Sequence, residues 1–157
     1  REIHYLNWQA RFVGDETLDP KWAGELRDKV ALRGLSTQIE FVGTVANMAS
    51  EYQNADIFVL PSKFEGYGMV LSEAIAHGLP IISTRTGAIP EVVPESAGIL
   101  VKSEDHSALA AALKKLILDG DLRNKMQLSA QKAASTLPTW RACAERIVEG
   151  LEIITKR

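Results

Sequence analysis

Glu65 and Glu73 are carboxylates eight positions apart, with Gly66 and Gly68 between them and a helical pattern opening at Met69. The nearly all-apolar run Asp56-Ile-Phe-Val-Leu60 and the loop Pro61–Gly68 come just before. A strand that feeds a glycine-bearing loop and then a helix aims unsatisfied backbone N–H groups and the positive end of a helix dipole at one spot. Such a spot suits an anion, phosphate above all. Gly66 and Gly68 let the backbone come close to it. Eight residues at a helical rise of ~1.5 Å place the carboxylates at most about 12 Å apart. Helical side chains lean toward the N-terminus, which brings Glu73 nearer. A sugar–diphosphate–ribose unit has a similar span. With the diphosphate on the amides of Gly68, Met69 and Val70, Glu73 can accept hydrogen bonds from ribose hydroxyls while Glu65 faces the sugar. Carboxylates suit diols because each oxygen accepts a hydroxyl proton.

Two other phosphate-binding loops fail on the residues. A dinucleotide fingerprint wants a third small residue where Leu71 stands, and an acid after the next strand, where Ser83-Thr-Arg-Thr86 stands. A Walker A loop wants Gly-Lys-Ser/Thr after its first glycine, and that triplet is missing here.

The elements that must hold this loop alternate. Strands are predicted at Ala10–Gly14, Ile39–Val42, Asp56–Leu60, Pro80–Ser83 and Gly98–Val101, the third buried on both faces. Helices are predicted at Pro20–Leu35, capped by Asp19 and with Gly34 near its end; at Asn47–Asn54; and at Met69–His77, closed by Gly78. The last third is helical. Leu109, Leu113, Leu116 and Ile117 form one apolar face, Leu122, Met126 and Ala130 a second. After Pro138, Trp140, Ala144, Ile147, Val148, Leu151 and Ile154 form a third, read as core or domain-docking surface. Strands alternating with helices predict an α/β fold, an open parallel sheet with helices on both faces. Ligands bind such sheets at the carboxyl ends of the strands.

With these elements in place, Glu65-Gly-Tyr-Gly-x-x-x-x-Glu73-Ala resembles the Glu-x7-Glu motif of family 4 retaining glycosyltransferases. Phe12-Val-Gly-Asp15 resembles that family's strand ending in Gly-Asp. Phe41-Val-Gly43-Thr-Val45 resembles its base-side loop, and Ala55–Ser62 the strand leading into the motif. Gly78-Leu-Pro-Ile-Ile82, Gly87-x-x-Pro-Glu-Val-Val93 and Gly98-Ile-Leu-Val101 resemble the segments after it. The match runs from about Ala10 to Val101. It departs at Thr86, where the family usually has glycine, and upstream, where the family's diphosphate-gripping Arg and Lys have no counterpart before Ala10.

The resemblance implies the second, Rossmann-like half of a two-domain GT-B enzyme. Residues 1–157 are then one donor-nucleotide domain that lacks its first strand and the N-terminal acceptor domain. It implies transfer of a sugar from a nucleotide diphosphate sugar to an acceptor hydroxyl, with retention and without a metal or other cofactor. Glu65 is the catalytic candidate. Glu73, Gly66, Tyr67, Gly68, Met69, Val70, Gly43 and Ser62 are the donor-binding candidates. The alternatives are a nucleotide-binding fragment without catalysis, an epimerase or hydrolase on the same fold, and an interaction domain with an idle site.

Other chemistry-bearing residues have plainer readings. Asp119-Gly-Asp121 spells the Asp-x-Asp of metal-dependent glycosyltransferases, but it follows an amphipathic helix, so Gly120 reads as a C-cap and Asp121 as the next N-cap. His77 supports a helix end, and neither His4 nor His106 has a metal-ligand neighbour at the right spacing. Lys63 and Arg85, the cations of the ligand-side loops, read as solvated, with a phosphate contact as the alternative. Glu91 reads as a helix-start acid.

Composition agrees. The chain has 157 residues, 46% hydrophobic and 24% charged, with net charge −2. That is an ordinary globular balance, with nothing to attract a nucleic acid. A single cysteine, Cys143, suits a reducing cytoplasmic compartment, and no apolar run reaches membrane-span length. Peripheral membrane contact stays open. Residues 1–7 read as neither capped helix nor strand, as if they continued a larger unit.

Overall fold

A computed structural model describes residues 3–137 and 140–155. The expected roles of Pro138 and of the Trp140 side chain fall outside the described residues. The elements run β1 (Ala10–Val13), α1 (Pro20–Leu32), β2 (Ile39–Gly43), α2 (Met48–Gln53), β3 (Phe58–Leu60), α3 (Met69–Ala76), β4 (Ile81–Thr84), α4 (Ile89–Val92), β5 (Gly98–Val101), α5 (His106–Leu118), α6 (Gly120–Ala134) and α7 (Trp140–Thr155).

All strand pairs are parallel, but they form two hydrogen-bonded groups: β1 with β2, and β3–β4–β5 in chain order. Each of β1 and β3 bonds a strand on one side only. β4 is the centre of the larger group, and all four of its residues are buried. Its alternation sorts the core. Ile81 packs with Leu71, Ala74 and Ile75 of α3, with Tyr52 of α2 and with Ile89 and Val92 of α4. Ile82 points the other way, to Ala112 and Leu116 of α5 and Met126 of α6. The sheet is thus covered on both faces. β3 departs from expectation. It starts at Phe58, and Val59 is 36% exposed. Its place at the edge of the group explains this, since only β4 flanks it.

The helix ends follow local chemistry. Asp19 accepts from the Trp22 amide at the start of α1, and Asn47 from that of Ser50 at the start of α2. α1 stops at Leu32, short of the expected Leu35, because Gly34 takes a left-handed φ of 68°. The Asp-x-Asp run also shifts. Asp119 is the shared cap, its carboxylate accepting from the Leu122 amide, while Gly120 and Asp121 already lie in the first turn of α6. The apolar stripe of α7 is not core, since Ile147, Val148, Leu151 and Ile154 are all more than half exposed. Among the described residues no helix is long and apolar enough to cross a membrane.

Candidate functional site

The loop between β3 and α3 is held by β4 and the turn after it. Ser83 Oγ donates to the Leu60 carbonyl at 2.6 Å, and Thr84 Oγ1 to the Ser62 carbonyl at 2.6 Å. Thr86 Oγ1 donates to the Lys63 carbonyl at 3.2 Å, and the Ala88 amide to the Gly66 carbonyl at 3.3 Å. The part-buried carbonyls of Leu60 and Ser62 need such partners, so hydroxyls at the end of an otherwise apolar strand help fix a loop that has no regular structure. Between these contacts lies Gly87, with φ 52°; a Cβ there would sit 1.8 Å from the Glu65 carbonyl oxygen.

Gly68 turns the loop into α3. It is the N-cap, left-handed at φ 70° and ψ 57°, and it is buried. A Cβ on it would meet Leu71 Cδ1 at 2.9 Å and Glu65 Cγ at 3.1 Å. The Glu65 side chain therefore lies against the start of α3. It is half-buried and accepts from Ser62 Oγ at 3.3 Å. No side chain caps α3, so the amides of Met69 and Val70 at its first turn are left for a ligand or water. Gly66 has open space where a Cβ would be. Phe64, Tyr67 and Met69 project from the loop, at least half exposed.

Glu73 lies one turn into α3 with its side chain accessible. Tyr52 of α2 donates its phenol to Glu73 Oε2 at 2.9 Å. Tyr52 itself is only 4% exposed, its ring 5.8 Å from that of Phe58 and 5.1 Å from that of His77. Burial first, and then the hydrogen bond to Glu73, push the phenol well above the ordinary tyrosine range.

The structure thus gathers Ser62, Glu65, Gly66, Tyr67, Gly68, Met69, Val70 and Glu73 around one helix start. Gly43 stands apart. It ends β2 with φ 74°, and its carbonyl accepts from the Gly14 amide at 3.0 Å. Lys63 pairs with Glu104 at 2.6 Å, while Arg85 makes no ion pair among the described residues. His77 caps α3 through its backbone and packs its ring on Tyr52; Glu91 lies in the first turn of α4. Tyr52 and the hydroxyls of Ser83, Thr84 and Thr86 escape the motif. Polar residues closing an apolar strand could have flagged the hydroxyls; nothing in the spacing marks Tyr52. Met69, Val70 and Glu73 are exposed at the surface. A depression of about 440 Å³ lies along α1, and one of about 140 Å³ between Lys63, Thr84 and His106; neither includes Glu65 or Glu73.

Residues 1–119 match the family described as Glycosyl transferases group 1. The chain belongs to this family. Among group 1 relatives, the lipopolysaccharide core biosynthesis mannosyltransferase LpsB of Rhizobium meliloti is 37% identical over 111 residues, 68% of this chain and 31% of that protein. A D-inositol 3-phosphate glycosyltransferase of Corynebacterium urealyticum is 35% identical over 133 residues, 83% of this chain and 30% of that protein. The chain spans under a third of the length of these relatives. The crystal structure of the C-terminal domain of LpcC, a glycosyl transferase group 1 protein of Francisella tularensis, superposes with TM-score 0.77 at 33% identity, covering 85% of this chain and 71% of that one. A Rickettsia africae glycosyltransferase gives TM-score 0.91 at 22% identity over 99% of this chain and 42% of its own, a likeness of fold. The parallel α/β architecture expected from the motif is the one found.

Proposed function

We propose that this chain is the donor-binding domain of a retaining hexosyltransferase that acts without a metal ion, as part of a longer protein. The observation that carries the reading is the left-handed turn at Gly68. It opens an uncapped helix between two carboxylates, Glu65 before it and Glu73 one turn inside. The diphosphate of a nucleotide sugar lies on the amides of Gly68, Met69 and Val70, where the helix dipole favours its charge. Glu73 accepts from the ribose hydroxyls. Glu65 faces the sugar and stabilises the positive charge that develops at its anomeric carbon. The bond from that carbon to the diphosphate oxygen breaks, and the diphosphate leaves with the electron pair. The acceptor hydroxyl oxygen bonds the same face and passes its proton to the departing diphosphate oxygen. Preorganised donors supply the stabilisation a metal would otherwise give. The base-side loop at Gly43 completes the donor site.

The unbonded edges of β1 and β3 support a further strand, and the short span of the chain against its relatives supports an acceptor domain, both from the longer protein. The single cysteine suits a cytoplasmic setting, with peripheral contact to the membrane left open. The test is calorimetric titration with UDP, GDP and ADP, with and without EDTA, together with NMR of the product formed by the full-length protein. Binding of one diphosphate that survives chelation, and a product with the donor's anomeric configuration, are expected. Loss of binding on chelation, or an inverted product, would sink the respective part.

A further inference from the structure

Glu73 is an accessible carboxylate whose single hydrogen bond, among the described residues, comes from Tyr52. No cation pairs with it among those residues. A glutamate on an exposed helix face ordinarily swings through several rotamers, and fixing it costs side-chain entropy. Here one oxygen, Oε2, is pinned at 2.9 Å by a donor that cannot itself move. The Tyr52 ring is 4% exposed and wedged between Phe58 of β3 and His77 at the end of α3. The phenol is a neutral donor, so it orients the carboxylate without cancelling its charge. Oε1 and the remaining lone pair of Oε2 stay open, which is what a vicinal diol needs. Tyr52 also belongs to α2, which starts directly after the Gly43–Asn47 loop with Asn47 as its cap. One short helix therefore runs from that loop to the carboxylate.

We propose that Tyr52 is a positioning residue, a buried phenol that presets the Glu73 carboxylate to receive the two ribose hydroxyls of a nucleoside diphosphate. The proposal rests on the reading of Glu73 as the ribose acceptor. A purely structural role would be the plainer alternative: a buried tyrosine hydroxyl must find an acceptor, and Glu73 is within reach. The two differ in what happens to the ligand.

The experiment is titration of the chain and of Tyr52→Phe, Glu73→Ala and the double variant. The probes are whichever of UDP, GDP and ADP binds most tightly, and its 2′,3′-dideoxy form. Tyr52→Phe keeps the ring and its contacts with Phe58 and His77. It should raise the Kd of the nucleoside diphosphate about 3- to 10-fold, the equivalent of one modest hydrogen bond. The Kd of the dideoxy form should not change, nor should a further loss appear when Tyr52→Phe is added to Glu73→Ala. Unchanged affinity in Tyr52→Phe alongside a clear loss in Glu73→Ala overturns the positioning role and leaves the Glu73 reading standing. An equal loss for the dideoxy form, or an additive loss in the double variant, makes Tyr52 structural. No loss in Glu73→Ala, or no binding of any of the three diphosphates, removes the ribose reading and this proposal with it.

Discussion

At the scale of single residues, the two glutamates differ in how they are held. Glu65 sits in a loop fixed through its backbone, Glu73 on a helix fixed through its side chain. On the proposed reading Glu73→Ala removes hydrogen bonds from the ribose hydroxyls to a charged group, so it should weaken nucleoside diphosphate binding by roughly 1.5–3 kcal/mol. Equal affinity of variant and parent by calorimetry would take Glu73 out of the site. Gly87 controls Glu65 from beneath. Alanine there would put a methyl 1.8 Å from the Glu65 carbonyl oxygen at a φ of 52°. Strain of that kind costs about 1–3 kcal/mol, and the loop must move besides. Gly87→Ala should therefore lower the urea midpoint and weaken donor binding together; a variant with the parent's midpoint and affinity would show that the two loops are not coupled. The glutamates were legible in the sequence because a motif fixes their spacing. Tyr52 was not, because its partner lies 21 positions away and only the fold brings them together.

At the scale of elements, β4 does two jobs. Its isoleucines separate the two halves of the core, and its last two residues hold the β3–α3 loop. The sequence marks the first job clearly, as an apolar run. It hides the second, since hydroxyls ending a strand look like the start of a loop. Thr84→Val keeps the shape but leaves the Ser62 carbonyl without its donor. Loss of such a buried partner costs about 1–3 kcal/mol. The variant should be less stable by that order in urea, and hydrogen exchange should speed up in residues 63–68 more than in α5. Uniform exchange across both would mean the loop is held by other contacts. β3 taught the opposite lesson. An apolar run is buried on both faces only where helices cover both faces at its place in the sheet, and its place, at the centre or the edge, is a property of topology that no local window contains. The Asp-x-Asp run resolves in the same way. Since Asp119 caps α6, Asp119→Ala should cost roughly 0.5–2 kcal/mol of stability. Nucleotide affinity should stay unchanged with or without manganese. A manganese-dependent loss of affinity would make it a ligand instead of a cap.

At the scale of the whole molecule, the proposed function makes the site one wall of a cleft that a further domain of the longer protein would complete. Its carboxylates and helix start lie on an open surface, and the chain spans under a third of its curated relatives. A related C-terminal domain has been crystallised by itself, and the core around β4 supports independent folding of this chain as well. Transfer is another matter. Holding donor and acceptor together in a reactive pose contributes roughly 7–11 kcal/mol to lowering a bimolecular barrier, and water must be kept from the anomeric carbon meanwhile. An open surface does neither. On the proposed reading the diphosphate contacts come from backbone amides, while Lys63 is engaged with Glu104. Each missing charged contact weakens binding by about 1.5–3 kcal/mol, so affinity should fall in the high-micromolar to millimolar range, and Glu73 and the α3 amides should keep it from vanishing. The expected outcome is donor binding without turnover. Purified chain would be incubated with labelled UDP-, GDP- and ADP-sugars and with sugar or lipid acceptors, and transferred label counted. Robust transfer would mean that these 157 residues contain an acceptor site of their own. The exposed loop residues Phe64, Tyr67 and Met69, beside Glu65, would be the first place to look for it.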